Sequence, residues 1–240
     1  LTTDQVVALT TAQADKLTAA QMGALSSAQV GGIETADLAK LTTEQVAGIS
    51  TAGVAGLTTT QMAKLSSDQL AALTTAQTAA LSTANIAALT TAQVDKLTTA
   101  QVAALTTTQV KAMDAEDVAK LTTDQVGALT SSQIRTIATD DLQQLTNSQL
   151  RAITTDGVKA MLAEQVTALT TAQISQFTDT QVGVMTVAQA QAIETADLAA
   201  MTNLQVQALT TAAVRGLSTG QVHLHATGQR EHLFEVRPWC

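Results

Sequence analysis

The chain has 240 residues, a net charge of −8 and 45% apolar content, yet it holds only two Phe, one Trp and no Tyr. So few bulky side chains exclude a large globular core and favour thin layers of small ones. So few basic residues exclude nucleic-acid binding through a basic stripe.

From Leu1 to Leu217, every eighth residue is Leu, Ile, Met or Phe, which makes 28 octads with no insertion or deletion over 1–224. A period of this kind has to be read before any single element. The consensus is Leu-Thr-Thr-x-Gln-Val-Ala-Ala. Position two is Thr or Ser in 23 octads, position five is Gln in 20, and position six is Val, Ile, Leu or Met in 25. The exceptions at position six are Ala14, Thr78 and Ala190. The organisation expected is one array over 1–224 and a non-repeat tail over 225–240. The chain opens on Leu with no charged-then-apolar signal segment ahead of the repeats, so it reads as a fragment or a processed product. No apolar run approaches the roughly 18 residues of a membrane span. The single Cys, at position 240, forms no intramolecular disulfide.

Three folds compete for an octad. One continuous helix advances about 800° per eight residues, about 80° past two turns, so its apolar stripe would drift off any fixed face. A β-solenoid conflicts with the abundance of Ala, Gln and Leu and with an apolar spacing of five then three. The third reading places a helix N-cap at position two. Gln at position five then completes a Thr-x-x-Gln capping box, and the apolar residues at positions one and six form a hydrophobic staple. Leu41, Thr42, Gln45 and Val46 show the set, as do Leu121, Thr122, Gln125 and Val126. Each octad therefore starts a new helix of about two turns. A helix this short does not survive alone in water, so neighbours must bury positions one and six. The fold class predicted is all-α: an elongated solenoid of very short helices, one per octad, with two or three octads per superhelical turn.

Along the chain, departures from the consensus add detail. Lys16, Lys40 and Lys64 stand 24 residues apart at position eight, as do Lys96 and Lys120, which hints at three octads per turn. Glu34 with Asp37, Asp114 with Asp117, and Glu194 with Asp197 replace Thr and Gln at 80-residue steps, and Asp15-Lys16 and Asp95-Lys96 keep that step. These pairs read as an acidic capping box in duplicated blocks, since acidic groups suit a helix N-terminus. A metal site would need His or Cys partners or calcium-loop spacing, and neither is present. Gly53 and Gly157 replace Gln, which predicts frayed or kinked helices. The tail carries the only Pro and Trp. Its His225 and His232, with His223 and Cys240, have no strong metal-ligand spacing. No phosphate loop, nucleophile elbow or His-Glu-x-x-His motif occurs. No catalytic residue, metal or cofactor is expected.

Units such as Leu97-Thr-Thr-Ala-Gln-Val-Ala-Ala104 and Leu73-Thr-Thr-Ala-Gln-Thr-Ala-Ala80 resemble the octapeptide arrays of very large proteobacterial surface or secreted proteins of the adhesin-like kind. The resemblance covers about 1–224. It implies a bacterial surface or extracellular location and a structural or adhesive role, and it transfers no haem ligand. Leu1-Thr-Thr-Asp-Gln-Val-Val-Ala8 also looks like the opening of a repeat in transcription-activator-like effectors. That family has a longer repeat with a base-reading loop, so the shared part is only a well-capped helix start.

Three non-enzymatic functions fit these residues. The first is a spacer or adhesive rod. The second is a self-associating filament subunit, since like octads expose like rows. The third is a solenoid that recognises a protein partner or a surface, ice included, because position three is Thr in 18 of 28 octads. The partner itself is unknown from the sequence.

Overall fold

A computed structural model describes residues 1–222. It shows 27 helices of four to six residues among the described residues, from Thr3–Val7 to Thr211–Gly216, with a further helical turn at 219–222 and no strand. Octads are numbered here from octad 1 (1–8) to octad 28 (217–224), and each helix occupies one octad.

The local cause is the capping box. In octad 6 the Thr42 hydroxyl accepts from the Gln45 N–H at 3.2 Å, and Gln45 Oε1 accepts from the Thr42 N–H at 2.7 Å. In octad 16, Thr122 and Gln125 make the same two bonds at 2.7 and 3.2 Å. Two orphan amides of the first turn are thus satisfied reciprocally. The helix Thr43–Gly48 stops where Ile49 and Ser50 turn extended, and Ser50 caps the next helix. The pattern then begins again.

Positions one and six are buried from octad 4 to octad 26, whereas Leu1 at the start of the array is exposed and Leu9, Leu17 and Leu217 are half-buried. Leu41, Val46, Leu121 and Val126 are all buried, and the largest fully buried side chains include Met22, Leu38, Met62 and Leu70. Two medium apolar residues per octad fill the interior, which is why the chain needs almost no aromatics. Phe177, at position one, is buried like the leucines it replaces.

Helices three octads apart pack on each other, as Ala19–Gly23 does on Thr43–Gly48 and Ser131–Ile134 on Thr155–Ala160. Of the two windings left open by the sequence, the structure has three octads, or 24 residues, per turn. The lysine spacing at 16, 40 and 64 follows this turn.

The described residues divide into two compact units, one over Leu1–Ala128 and one from Leu129 onward. The boundary falls between octads 16 and 17, inside the register that the sequence reading treated as one array. Over its described residues, each unit is a solenoid of the same octads.

Gly53 and Gly157 do not fray their octads. Helices Thr51–Val54 and Thr155–Ala160 form, and Ser50 Oγ and Thr154 Oγ1 accept from the Gly53 and Gly157 amides at 3.0 and 3.1 Å. A cap hydroxyl holds these first turns without a glutamine. Among the described residues no glycine has positive φ, so glycine serves space here rather than conformation. A Cβ on Gly31 would lie 2.8 Å from the Gly56 carbonyl oxygen.

Candidate functional site

Position five is the most worked residue of the octad. Its Oε1 completes the capping box, and its amide nitrogen reaches back to the preceding turn. Gln45 Nε2 donates to the carbonyls of Leu17 at 2.6 Å and Ala14 at 3.2 Å. Gln101 Nε2 donates to Leu70 at 2.7 Å and Leu73 at 2.8 Å. Gln125 Nε2 donates to Val94 at 2.8 Å and Leu97 at 2.6 Å. The separations are 31 and 28 residues each time. The second unit repeats them, with Gln165 on Ile134 and Ile137 and Gln189 on Val158 and Met161. Gln5, Gln13 and Gln21 have no earlier octads in this sequence to stack on, and they are exposed.

The chemistry explains the residue type. An amide side chain offers one acceptor and two donors on one short stem. Here the acceptor serves its own helix start, and the donors serve buried carbonyls at the end of one earlier helix and the start of another. A buried carbonyl left unpaired would cost about 1–3 kcal/mol. The capping-box reading found only the acceptor half of this role. The missing signal was present: a capping box accepts Glu as readily as Gln, yet no octad has Glu at position five.

Where glutamine is absent, other polar groups take part of its work. Asn85, one carbon shorter, is 1% exposed and donates by Nδ2 to Leu57 alone, 28 residues back, at 2.9 Å. Its Oδ1 accepts from the Ser82 hydroxyl. Asp37 and Asp197 have no donor. They accept instead from Thr11 Oγ1 and Thr171 Oγ1, each at 2.6 Å and 26 residues back. The structure thus places the acidic pairs in the capping register, but Glu34 and Glu194 make no side-chain cap bond. Asp114 does cap, accepting from the Asp117 N–H at 2.9 Å.

The second unit adds an outer ladder at position seven. Gln143 Nε2 donates to the Ala168 carbonyl at 2.6 Å, Gln191 Nε2 to Gly216 at 2.8 Å, and Arg151 Nε to Gln176 at 3.1 Å. These bonds run 25 residues forward. The ion pairs Lys16–Asp15 and Lys96–Asp95, at 3.4 and 3.5 Å, join exposed sequence neighbours and contribute little.

Among the described residues, no group of three or more His, Cys, Asp or Glu is arranged to hold a metal ion. No described helix is long and apolar enough to cross a membrane. His223, His225, His232, Cys240 and the tail as a whole lie outside the described residues.

One face of the first unit differs from the rest in charge. Octads 4, 7, 10 and 13 stack in one row and contain no charged residue. Ser27, Thr51, Thr75 and Thr99 stand exposed along it at position three, with Ala28, Ala52, Ala76 and Ala100 beside them.

No curated protein matches the chain. A family model described as the ALTTAQ repeat matches residues 30–67, 79–107, 134–171 and 190–223. The matches lie wholly within the octads, in both units, and together span more than half of the sequence. The chain belongs to the ALTTAQ repeat family.

Proposed function

We propose that this chain is a non-enzymatic structural repeat module, a spacer or adhesive rod within a bacterial surface or secreted protein. The observation behind this reading is the glutamine ladder. The side chains able to do chemistry at position five are committed to holding one turn to the next. A chain organised this way gains length by adding octads and needs no new contact type to do so. Small-angle scattering on arrays shortened by whole turns tests it. The maximum dimension should fall linearly with octad number, and a cube-root dependence would overturn the reading.

A second reading, recognition of a partner or surface, is favoured by the uncharged row of octads 4, 7, 10 and 13. An array of hydroxyls and methyls suits a neutral, hydrogen-bonding surface such as ice. It is also where two negatively charged copies would meet with least repulsion, as a filament requires. Thermal hysteresis and concentration-dependent sedimentation separate these outcomes. Lysine at Thr75 and Thr99 should abolish whichever is observed.

A further inference from the structure

Asp117 occupies position five of octad 15 and is 3% exposed, yet it lacks the bonds its counterparts make. Its side chain receives no hydroxyl from Thr91, the residue 26 back, although Thr11 and Thr171 supply one to Asp37 and Asp197. Its cap residue also differs. Asn85 has a serine hydroxyl at its cap to donate to Oδ1, whereas Asp117 has a carboxylate there, Asp114, drawn onto its own amide at 2.9 Å. Two acidic side chains are thus brought together at the start of one helix, one of them buried.

Asn85 shows what a neutral side chain of this length does at position five. It donates to the position-one carbonyl 28 residues back. For Asp117 that carbonyl belongs to Leu89, on the turn against which helix Ala115–Lys120 packs through Thr91–Val94. A protonated carboxyl group has the shape of that amide and one O–H in place of its N–H donors.

We propose that Asp117 is a proton-operated latch between octads 12 and 15: its carboxylic O–H donates to the Leu89 carbonyl when protonated, and the bond is lost on ionisation. Within the first unit, charged groups of both signs stand on the surrounding elements, the two on its own first turn being acidic. Asp114 and Glu116 share its helix with Lys120. Asp95 and its ion-pair partner Lys96 follow Thr91–Val94, and Lys111 and Asp124 belong to the flanking octads. Burial, then Asp114, then Glu116 raise the Asp117 carboxyl from 3.8 to about 6. A folded-state value above the unfolded one means that protonation stabilises the fold, so the contribution appears as pH falls through about 6 and is complete below the unfolded value.

The experiment uses the full chain as wild type, Asp117→Asn and Asp117→Ala. Amide hydrogen exchange over 86–94 and 114–121 is normalised to intrinsic rates. Wild-type protection should rise about tenfold between about pH 7.5 and about pH 5. Asp117→Asn should hold the high value at both, as Asn85 does its work unprotonated. Asp117→Ala, which position five tolerates at Ala213, should be pH-independent and less protected than Asn. Equal protection in the Ala and Asn variants would show relief of a buried charge with no latch, and would overturn the proposal. So would a carbon-13 titration of the wild-type Asp117 carboxyl at the ordinary carboxylate value, a measurement that stands if a variant does not fold.

Discussion

The Cγ2 methyl of Ile49 lies 2.7 Å from the point where a Cβ on Gly53 would stand. Ile153 and Gly157 repeat the relationship at 2.9 Å. The β-branch at position one fills space next to position five, and the sequence carries the same rule across the array. Five octads begin with isoleucine, at 33, 49, 137, 153 and 193, and their fifth residues are Asp37, Gly53, Asp141, Gly157 and Asp197. No octad with Gln at position five begins with isoleucine.

Gly53→Gln alone should therefore destabilise the first unit, because its Cβ also meets Val30 Cγ2 at 3.1 Å. Combined with Ile49→Leu, the substitution should install a working amide and recover stability. The expected coupling is about 1–2 kcal/mol, of the size found for residues in contact. Urea unfolding of the two single variants and the double variant measures it, and strict additivity would refute the pairing.

Gln101→Leu removes both halves of the ladder residue. It strips the Leu70 and Leu73 carbonyls of their donor and the Thr98 amide of its acceptor. The expected loss is about 2–4 kcal/mol. Thr98→Ala removes only the hydroxyl that accepts from the Gln101 amide and should cost about 1 kcal/mol. If the two variants melted alike, capping rather than inter-turn bonding would dominate.

Thr171→Val should leave the buried Asp197 carboxylate without its hydroxyl donor. A cost of about 1–3 kcal/mol follows from the unpaired group. Thr91→Val, at the matching place before Asp117, removes no such bond and should be near neutral. Thermal melts of the two variants at neutral pH provide the comparison.

Gly56→Ala places a Cβ against the backbone of Ser27, which cannot rotate away. A loss of about 1–3 kcal/mol is expected from forced displacement of the packed turn. Gly183→Ala meets only the Ala208 oxygen, at 3.3 Å, and Gly220→Ala meets nothing closer than 3.9 Å. The ranking of the three melting temperatures should follow those distances.

Much of this fold was legible in the sequence because its determinants are local. Thr42 and Gln45 lie three residues apart and state their bond in the octad itself. Leu41 and Val46 likewise announce an inward pair. The number of octads per turn depends on partners 28 to 31 residues away, and only the lysine spacing hinted at it. The donor role of Gln45 is not legible in the octad, because the capping box alone accounts for a glutamine at that position. The glycines at position five predict fraying from the sequence alone, whereas in the structure Ile49 and Gly53 exchange volume within an intact helix. The boundary after Ala128 leaves no mark on the octad register.

The ladder has a direction. Each position-five glutamine amide of the inner ladder points toward residues already synthesised, never more than 31 positions behind it, while the outer bonds of Gln143 and Gln191 run forward. As the chain emerges from a ribosome or a secretion pore, every new turn can seal the carbonyls of the one before it through these inner bonds. Folding can therefore keep pace with emergence, since contacts so near in sequence form quickly. At any moment only the most recent turn would wait for its successor.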